Sequence, residues 1–143
     1  MKHIVSVIVM AALILGCAAE KEIVKTPEVK PAIGFAGFTS TVVGEREKRQ
    51  YSETFIHAMK ASKKFTSVER TDARGKLMTA ANAGTIPNIT AIATGTISMI
   101  GGTYFISIEV TDVATGQITQ TYREKTGTLQ NIENAFWAII QKM

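Results

Sequence analysis

From Ile4 to Leu15 every position is apolar except Ser6, and the run closes on Gly16-Cys17. Behind it, Ala18 to Pro31 is rich in Glu, Lys and Pro. Such a stretch cannot bury enough apolar surface to fold, so it reads as a tether. At Ala32 the pattern changes. Ala32–Phe38 predicts a first strand, whose glycines weaken it or mark close approach by a neighbour. After a loop at Thr39–Gly44, Tyr51, Phe55, Ala58, Met59 and Ser62 recur at helical spacing and predict a helix over Glu45–Lys64. Arg46, Lys48, Arg49, Lys60 and Lys63 fall off its apolar face. Phe65–Arg70 reads as a short strand. Thr71 or Asp72 can cap a second, short helix carrying Leu77, Met78 and Ala81 and ending near Asn82-Ala83-Gly84.

Beyond the break at Pro87-Asn88 the period becomes that of strands. Thr90–Ile100 predicts a strand, and Gly101-Gly102 is a hairpin signal. In Thr103–Val113, Tyr104, Ile106, Ile108 and Val110 share one face, with Ser107, Glu109 and Thr111 opposite. Ala114-Thr115-Gly116 makes the next turn and Gln117–Lys125 the next strand. Thr128 can cap a last helix whose stripe is Ile132, Phe136, Ile139, Ile140 and Met143. The expected order is β-α-β-α-β-β-β-α. This is an α+β domain with a mixed β-sheet and helices packed on one face.

The amino-terminal run is too short to span a bilayer, which takes roughly 20 apolar residues. Preceded by Met1-Lys2-His3 and closed by a small residue, it has the marks of a secretory signal. Its end, Leu13-Ile-Leu-Gly-Cys17, resembles the lipobox of bacterial lipoproteins. That resemblance implies cleavage before Cys17 and acylation of its thiol with two or three chains of the palmitate type. Cys17 is the only cysteine, so no internal disulfide and no cysteine-based metal site exists. Each buried methylene contributes about 0.8 kcal/mol and one chain holds only reversibly, whereas several hold firmly. Ala18 is not the aspartate associated with inner-membrane retention. In a two-membrane cell the expected address is therefore the outer membrane, facing the periplasm. The expected divisions are a signal peptide at 1–16, a lipidated tether at 17–31 and one domain at 32–143. The formal charge of +4 includes Lys2, and the remaining basic residues form no stripe interleaved with aromatics. Nucleic-acid binding is not expected.

Three segments carry a further resemblance: Phe65-Thr-Ser-Val-Glu-Arg70, Ala93-Thr-Gly-Thr-Ile97, and Ile108-Glu-Val-Thr-Asp-Val-Ala-Thr-Gly-Gln-Ile118. They are similar to the periplasmic domain of CsgG-like lipoproteins, the family of the curli secretion channel. Lipoprotein activators of penicillin-binding proteins and the amino-terminal domain of TolB share a similar fold. The most specific piece is Asp112 to Gln117, where Asp112 and Thr115 can satisfy turn backbone groups and Gly116 supplies a positive φ. The chain departs from the family pattern at Ile89-Thr-Ala-Ile92, and it lacks long amphipathic insertions. Thr39–Gly44 and Ala83–Asn88 are too short to hold membrane strands, which need about 9–11 residues each. The resemblance therefore implies the fold but not a pore.

Candidate chemistry is sparse. His57 has no cysteine or acidic residue at a metal-ligand spacing and reads as structural or surface. Asp72 and Asp112, the only aspartates, sit at cap or turn positions. Serines 52, 62, 67, 98 and 107 lie in no nucleophile elbow, and the glycines form no phosphate loop. Trp137 reads as the edge of the last helix's packed stripe, with an exposed partner contact as the alternative. No catalytic residues, cofactor or metal are expected, and the chain is not read as an enzyme. The expectation is a lipid-anchored periplasmic module that binds another protein in envelope assembly or secretion, in curli-type or related machinery. An activator of a cell-wall synthase and a ring subunit of a secretion or surface-appendage complex, with homo-oligomerisation, are the alternatives.

Overall fold

The computed structural model describes residues 30–71 and 75–143. Cys17, the expected signal, nearly all of the expected tether and the candidate cap Asp72 lie outside the described residues. The elements are β1 (Ala32–Ser40), α1 (Glu45–Ala61), β2 (Ser67–Glu69), α2 (Ala80–Ala83), β3 (Ile89–Ile100), β4 (Thr103–Asp112), β5 (Ile118–Thr126) and α3 (Ile132–Lys142). A 3₁₀ turn at Leu129–Asn131 leads into α3. The strands form one mixed sheet in the order β2-β1-β3-β4-β5. β1 is parallel to both its neighbours, and β3, β4 and β5 form an antiparallel meander. This is the α+β class and the element order that the sequence pattern predicts.

Alternation sets the faces of the meander. Ile106, Ile108 and Val110 of β4 are buried, while Ser107, Glu109 and Thr111 turn to the other side. Against the buried face lie Phe55 and Met59 of α1 and Ile132, Phe136, Ile139 and Ile140 of α3, all in one core. The predicted stripes of both helices are the ones that pack. α1 stops at Ala61 rather than Lys64, because Lys63 takes a left-handed φ of 57° and turns the chain out. At the amino end Glu45 and Glu47 favour the positive end of the helix dipole.

β1 breaks the period of two. Phe35 and Phe38 both face the core although they are three residues apart, which a regular strand forbids. A register shift against β3 between these residues, with Gly37 at a φ of +104°, supplies the extra step. The Phe38 N–H donates to Ser52 Oγ (3.0 Å), and that hydroxyl donates to the Lys48 carbonyl (2.7 Å). Ser52 is the only polar residue in the buried set among the described residues, and it ties the bulge to the backbone of α1. Phe35, Phe38, Phe55 and Phe136 then form a cluster with ring centroids 4.9–5.6 Å apart. Phe38 lies over Gly95 of β3, where a Cβ would stand 2.3 Å from its ring.

The second helix differs from expectation. Gly75 has a φ of +75°, so the chain reverses and Leu77 bridges Thr71 in extended form. Only Ala80–Ala83 is helical. Its cap is Thr79, whose hydroxyl accepts from the Asn82 N–H (3.3 Å), while Asn82 Oδ1 accepts from the Thr79 N–H (2.7 Å). Met78 leaves α2's approach to lie over Gly34, on the opposite side of the sheet from Ile33 and Phe35. There it joins Ala32, Ala83, Ile89 and Ile92 in a second, smaller core. The two long helices thus share one face, and α2 covers a corner of the other. Thr128 is not a side-chain cap either. Its carbonyl accepts from the Asn131 N–H (3.2 Å) at the 3₁₀ turn, and its hydroxyl makes no capping bond.

The two predicted turns are built as their residues require. Gly101 and Gly102 both have positive φ, 58° and 79°, the mirror-image turn that suits a twisted hairpin. At the β4–β5 turn Asp112 Oδ1 accepts from the N–H and the hydroxyl of Thr115 (2.7 and 2.9 Å). Gly116 sits at a φ of +69° with its N–H on the Asp112 carbonyl.

Candidate functional site

α1 and α3 lie side by side over the sheet, and the space between their outer edges forms a groove of about 410 Å³. Glu53, Thr54, His57 and Ala58 come from α1, at spacings that put them on one side of the helix. Glu133, Phe136 and Trp137 come from α3 by the same rule. Ala58 and Phe136 are buried and form the floor. Because Ala58 has no side chain beyond Cβ, the floor stays low between taller neighbours. His57 and Glu133 are exposed, and Trp137 keeps 39% of its surface open to solvent. Glu53 pairs with Arg70 at the end of β2, which fixes one wall of the groove to the sheet.

The structure therefore brings together two residues that the sequence considers separately. His57 is at the surface, as expected, and Trp137 is indeed at the edge of the packed stripe, yet both border one depression. Glu53 and Glu133, which sequence reasoning passes over, complete it. The available signal was positional: His57 and Trp137 each stand one residue off the apolar stripe of their helix. What the groove offers chemically is an indole face, an imidazole and two carboxylates around an apolar floor. Among the described residues no three His, Cys, Asp or Glu side chains are grouped as metal ligands. Among the same residues no helix is long and apolar enough to cross a membrane.

A second exposed apolar patch lies at the β3–β4 hairpin. Ile100 is 70% exposed, and Phe105, on the same sheet face, stands opposite Lys125 of β5. At the other end of the meander the Asp112 carboxyl is held below its ordinary pKa, chiefly by the Thr115 N–H and then by its hydroxyl. Tyr51, at the border of the aromatic cluster, is pushed up by burial and by the nearby Glu47.

An open mixed sheet of five strands, with two long helices on one face and a corner patch on the other, defines an α+β fold that recurs in solved structures. The PelC dodecamer from Paraburkholderia phytofirmans is similar over 80% of this chain and 87% of its own, at 8% identity and a TM-score of 0.59. The LpoB C-terminal domain from Escherichia coli is similar over 69% and 84%, at 14% identity and a TM-score of 0.56. The LpoB C-terminal domain from Salmonella enterica is similar over 70% and 84%, at 13% identity and a TM-score of 0.52. No protein-family model matches the chain, and no curated protein matches it in sequence. At these identities the likeness shows the fold alone. It supports the fold shared with these proteins and not the narrower CsgG-like assignment.

Proposed function

We propose that this chain is a non-enzymatic, lipid-anchored module that binds another protein in envelope assembly or secretion, through the groove between α1 and α3. The observation that carries the reading is Trp137, half-exposed beside a floor of Ala58 and Phe136 and flanked by His57, Glu53 and Glu133. Tryptophan is enriched among the residues that dominate binding energy, and a polar rim around an apolar centre is the usual anatomy of a contact. The helices that present it are held by the core beneath, so little ordering is lost on binding. The lipid anchor rests on Leu13–Cys17, with palmitate-type acyl chains on Cys17 and the outer membrane, periplasmic face, as the address in a two-membrane cell. The curli-type or related setting rests on the three motif segments alone.

Two further readings have particular support. A ring subunit is favoured by the likeness to PelC, which was solved as a dodecamer. An activator of a cell-wall synthase shares the plan of anchor, tether and domain. At roughly 3.3 Å per extended residue, however, Ala18–Pro31 reaches only part of the way toward the wall.

The test is site-specific photocrosslinking in cells, with the crosslinker in place of His57 in one strain and of Thr121 on the outer sheet face in another. The groove reading expects a discrete adduct with a different envelope protein from position 57, lost on Trp137→Ala. An adduct with a second copy of the chain favours the ring subunit. Adducts from position 121 alone, or none at 57, overturn the groove.

A further inference from the structure

β2 pairs with β1 at only three positions, Ala32 to Gly34. Beyond Gly34 the β1 edge, including the bulge at Gly37, borders a cleft of about 160 Å³ instead of a strand. Lys48 and Arg49 of α1 and Arg70 at the end of β2 converge on it, with the buried Ser52 beneath. Two carboxylates answer three cations: Glu45 pairs with Lys48, and Glu53 takes Arg70 at Nη1. Arg49 is exposed and has no ion pair among the described residues. The Arg70 side chain is only 19% exposed, and its buried Nε–H has no acceptor.

A guanidinium donates through a rigid fork. The edge carrying Nε is one that binds a carboxylate or phosphate with two parallel hydrogen bonds. Glu53 occupies Nη1 and leaves Nε without a partner. Buried polar groups are paired in almost all folded proteins, so an orphaned donor at a cleft marks a missing acceptor. Burial and the neighbouring Arg49 both disfavour the charge on Arg70. An anion set between the two arginines answers both effects. Ser52 does not compete, because its hydroxyl is committed to Phe38 and Lys48.

We propose that this cleft binds a single oxyanion group, a carboxylate or a phosphate, held by the Nε edge of Arg70 and by Arg49. Its volume of about 160 Å³ is enough to admit one such group. The site stands apart from the helix groove and does not depend on the partner proposed there. Glu53 links the two, since one carboxylate walls the groove while it holds Arg70 in place.

The test is a titration of the full chain in detergent micelles, followed by ¹⁵N NMR at constant ionic strength. The probes are inorganic phosphate, acetate and, in a separate arm, dihexanoyl phosphatidylglycerol. Saturable shifts with phosphate or acetate at Gly37, Phe38 and the Arg70 Nε–H are expected, and the ratio of the two affinities ranks the groups. Arg70→Lys keeps the charge but removes the fork and is expected to weaken binding at least tenfold. Arg49→Gln, at an exposed position that leaves the fold intact, is expected to weaken it several-fold. Linear shifts without saturation, shifts elsewhere on the surface, or unchanged affinity in both variants would overturn the proposal. So would binding of the lipid alone, which would assign the cleft to acyl contacts rather than to the anion.

Discussion

Gly95→Ala sets two opposing effects against each other, and the structure decides which wins. Replacing a strand glycine by alanine narrows the unfolded ensemble and, where the site has room, stabilises by roughly 0.4–1 kcal/mol. Here a Cβ at position 95 would lie 2.3 and 2.4 Å from Cδ1 and Cε1 of Phe38. Carbon atoms sit comfortably at about 3.5–4.0 Å, so the ring has to move by more than an ångström. It has little freedom to do so. Phe38 is stacked on Phe136 at 5.1 Å and meets Phe35 and Phe55 edge-on at 5.4 and 5.6 Å. Overpacking a tight core costs about 1–3 kcal/mol. With four rings moving together the upper half of that range applies, and the net loss is about 1–2 kcal/mol. For a domain of this size that lowers the melting temperature by roughly 4–8 °C. Gly127→Ala is the control, since an added Cβ there meets nothing within 4 Å. A double-mutant cycle with Phe38→Ala isolates the contact, because without the ring Gly95→Ala is expected to become neutral or stabilising. Thermal and urea melts of the four proteins are the assay. An unchanged or higher melting temperature for Gly95→Ala in the wild-type background refutes the reasoning, as does a coupling energy below about 0.5 kcal/mol.

Ser52→Ala leaves the buried Phe38 N–H without its acceptor and is expected to cost about 1–3 kcal/mol, read from the urea midpoint. Gly116→Val forces a β-branched residue to a φ of +69° with no atom near its Cβ, so its cost, about 1–2 kcal/mol, is purely conformational. A melting temperature equal to wild type would show that the turn is built differently. The Asp112 carboxyl is depressed in the fold, so its stabilising share is complete above the ordinary carboxylate pKa of about 3.9 and is lost as pH falls through the lowered folded value. The gap in urea midpoint between wild type and Asp112→Asn should therefore close between about pH 5 and pH 2, and a gap independent of pH would count against it. Cys17→Ser should leave the protein soluble in the periplasm or stalled as precursor. Complete partition of that mutant into detergent, or mass spectrometry finding an unmodified mature Cys17 in wild type, would end the lipobox reading.

Elements with a clean period were legible in the sequence, and the irregular ones were not. The stripes Tyr51-Phe55-Met59 and Ile132-Phe136-Ile140 and the alternation Tyr104 to Val110 each repeat long enough to fix a face. Gly101-Gly102 and Asp112–Gly116 carry their turns in their residue types. The bulge is different. Phe35 and Phe38 contradict a regular strand, and only the side chain of Ser52, fourteen residues on, makes the break affordable. The second helix failed for a related reason: capping residues and a few apolar positions were present, but Gly75 took a positive φ and reversed the chain. The groove was half legible, since His57 and Trp137 stood out singly while their proximity depends on how α1 crosses the sheet beside α3. Arg70 closes one of the motif segments, but its place at the cleft was not legible, because its orphaned Nε–H exists only once β2 has ended and Glu53 has taken Nη1.

Neither face of the sheet is free to serve as the lipid-facing side of a barrel. A lipid-facing barrel strand needs an apolar side free of other duties, flanked by aromatic girdles. On the helical side Ile97, Ile106 and Ile108 are buried beneath Phe55, Phe136 and Ile140, and exposing them to lipid would strip both helices of their core. On the outer side Glu109, Arg123 and Lys125 lie among Ser98, Ser107 and Thr121, a surface that hydrocarbon would reject. Neither face can be turned to lipid without breaking the domain or burying charge. The surface features outside these two faces' packing are the helix groove, the basic cleft where β2 stops, and the hairpin tip at Ile100. β1 and β3 run parallel, so the β3–β4 hairpin tip lies at the far end of the sheet from Ala32, where β1 begins. The groove lies along the helical flank. The groove and the hairpin tip therefore open in different directions, and neither competes with the core for its apolar side chains.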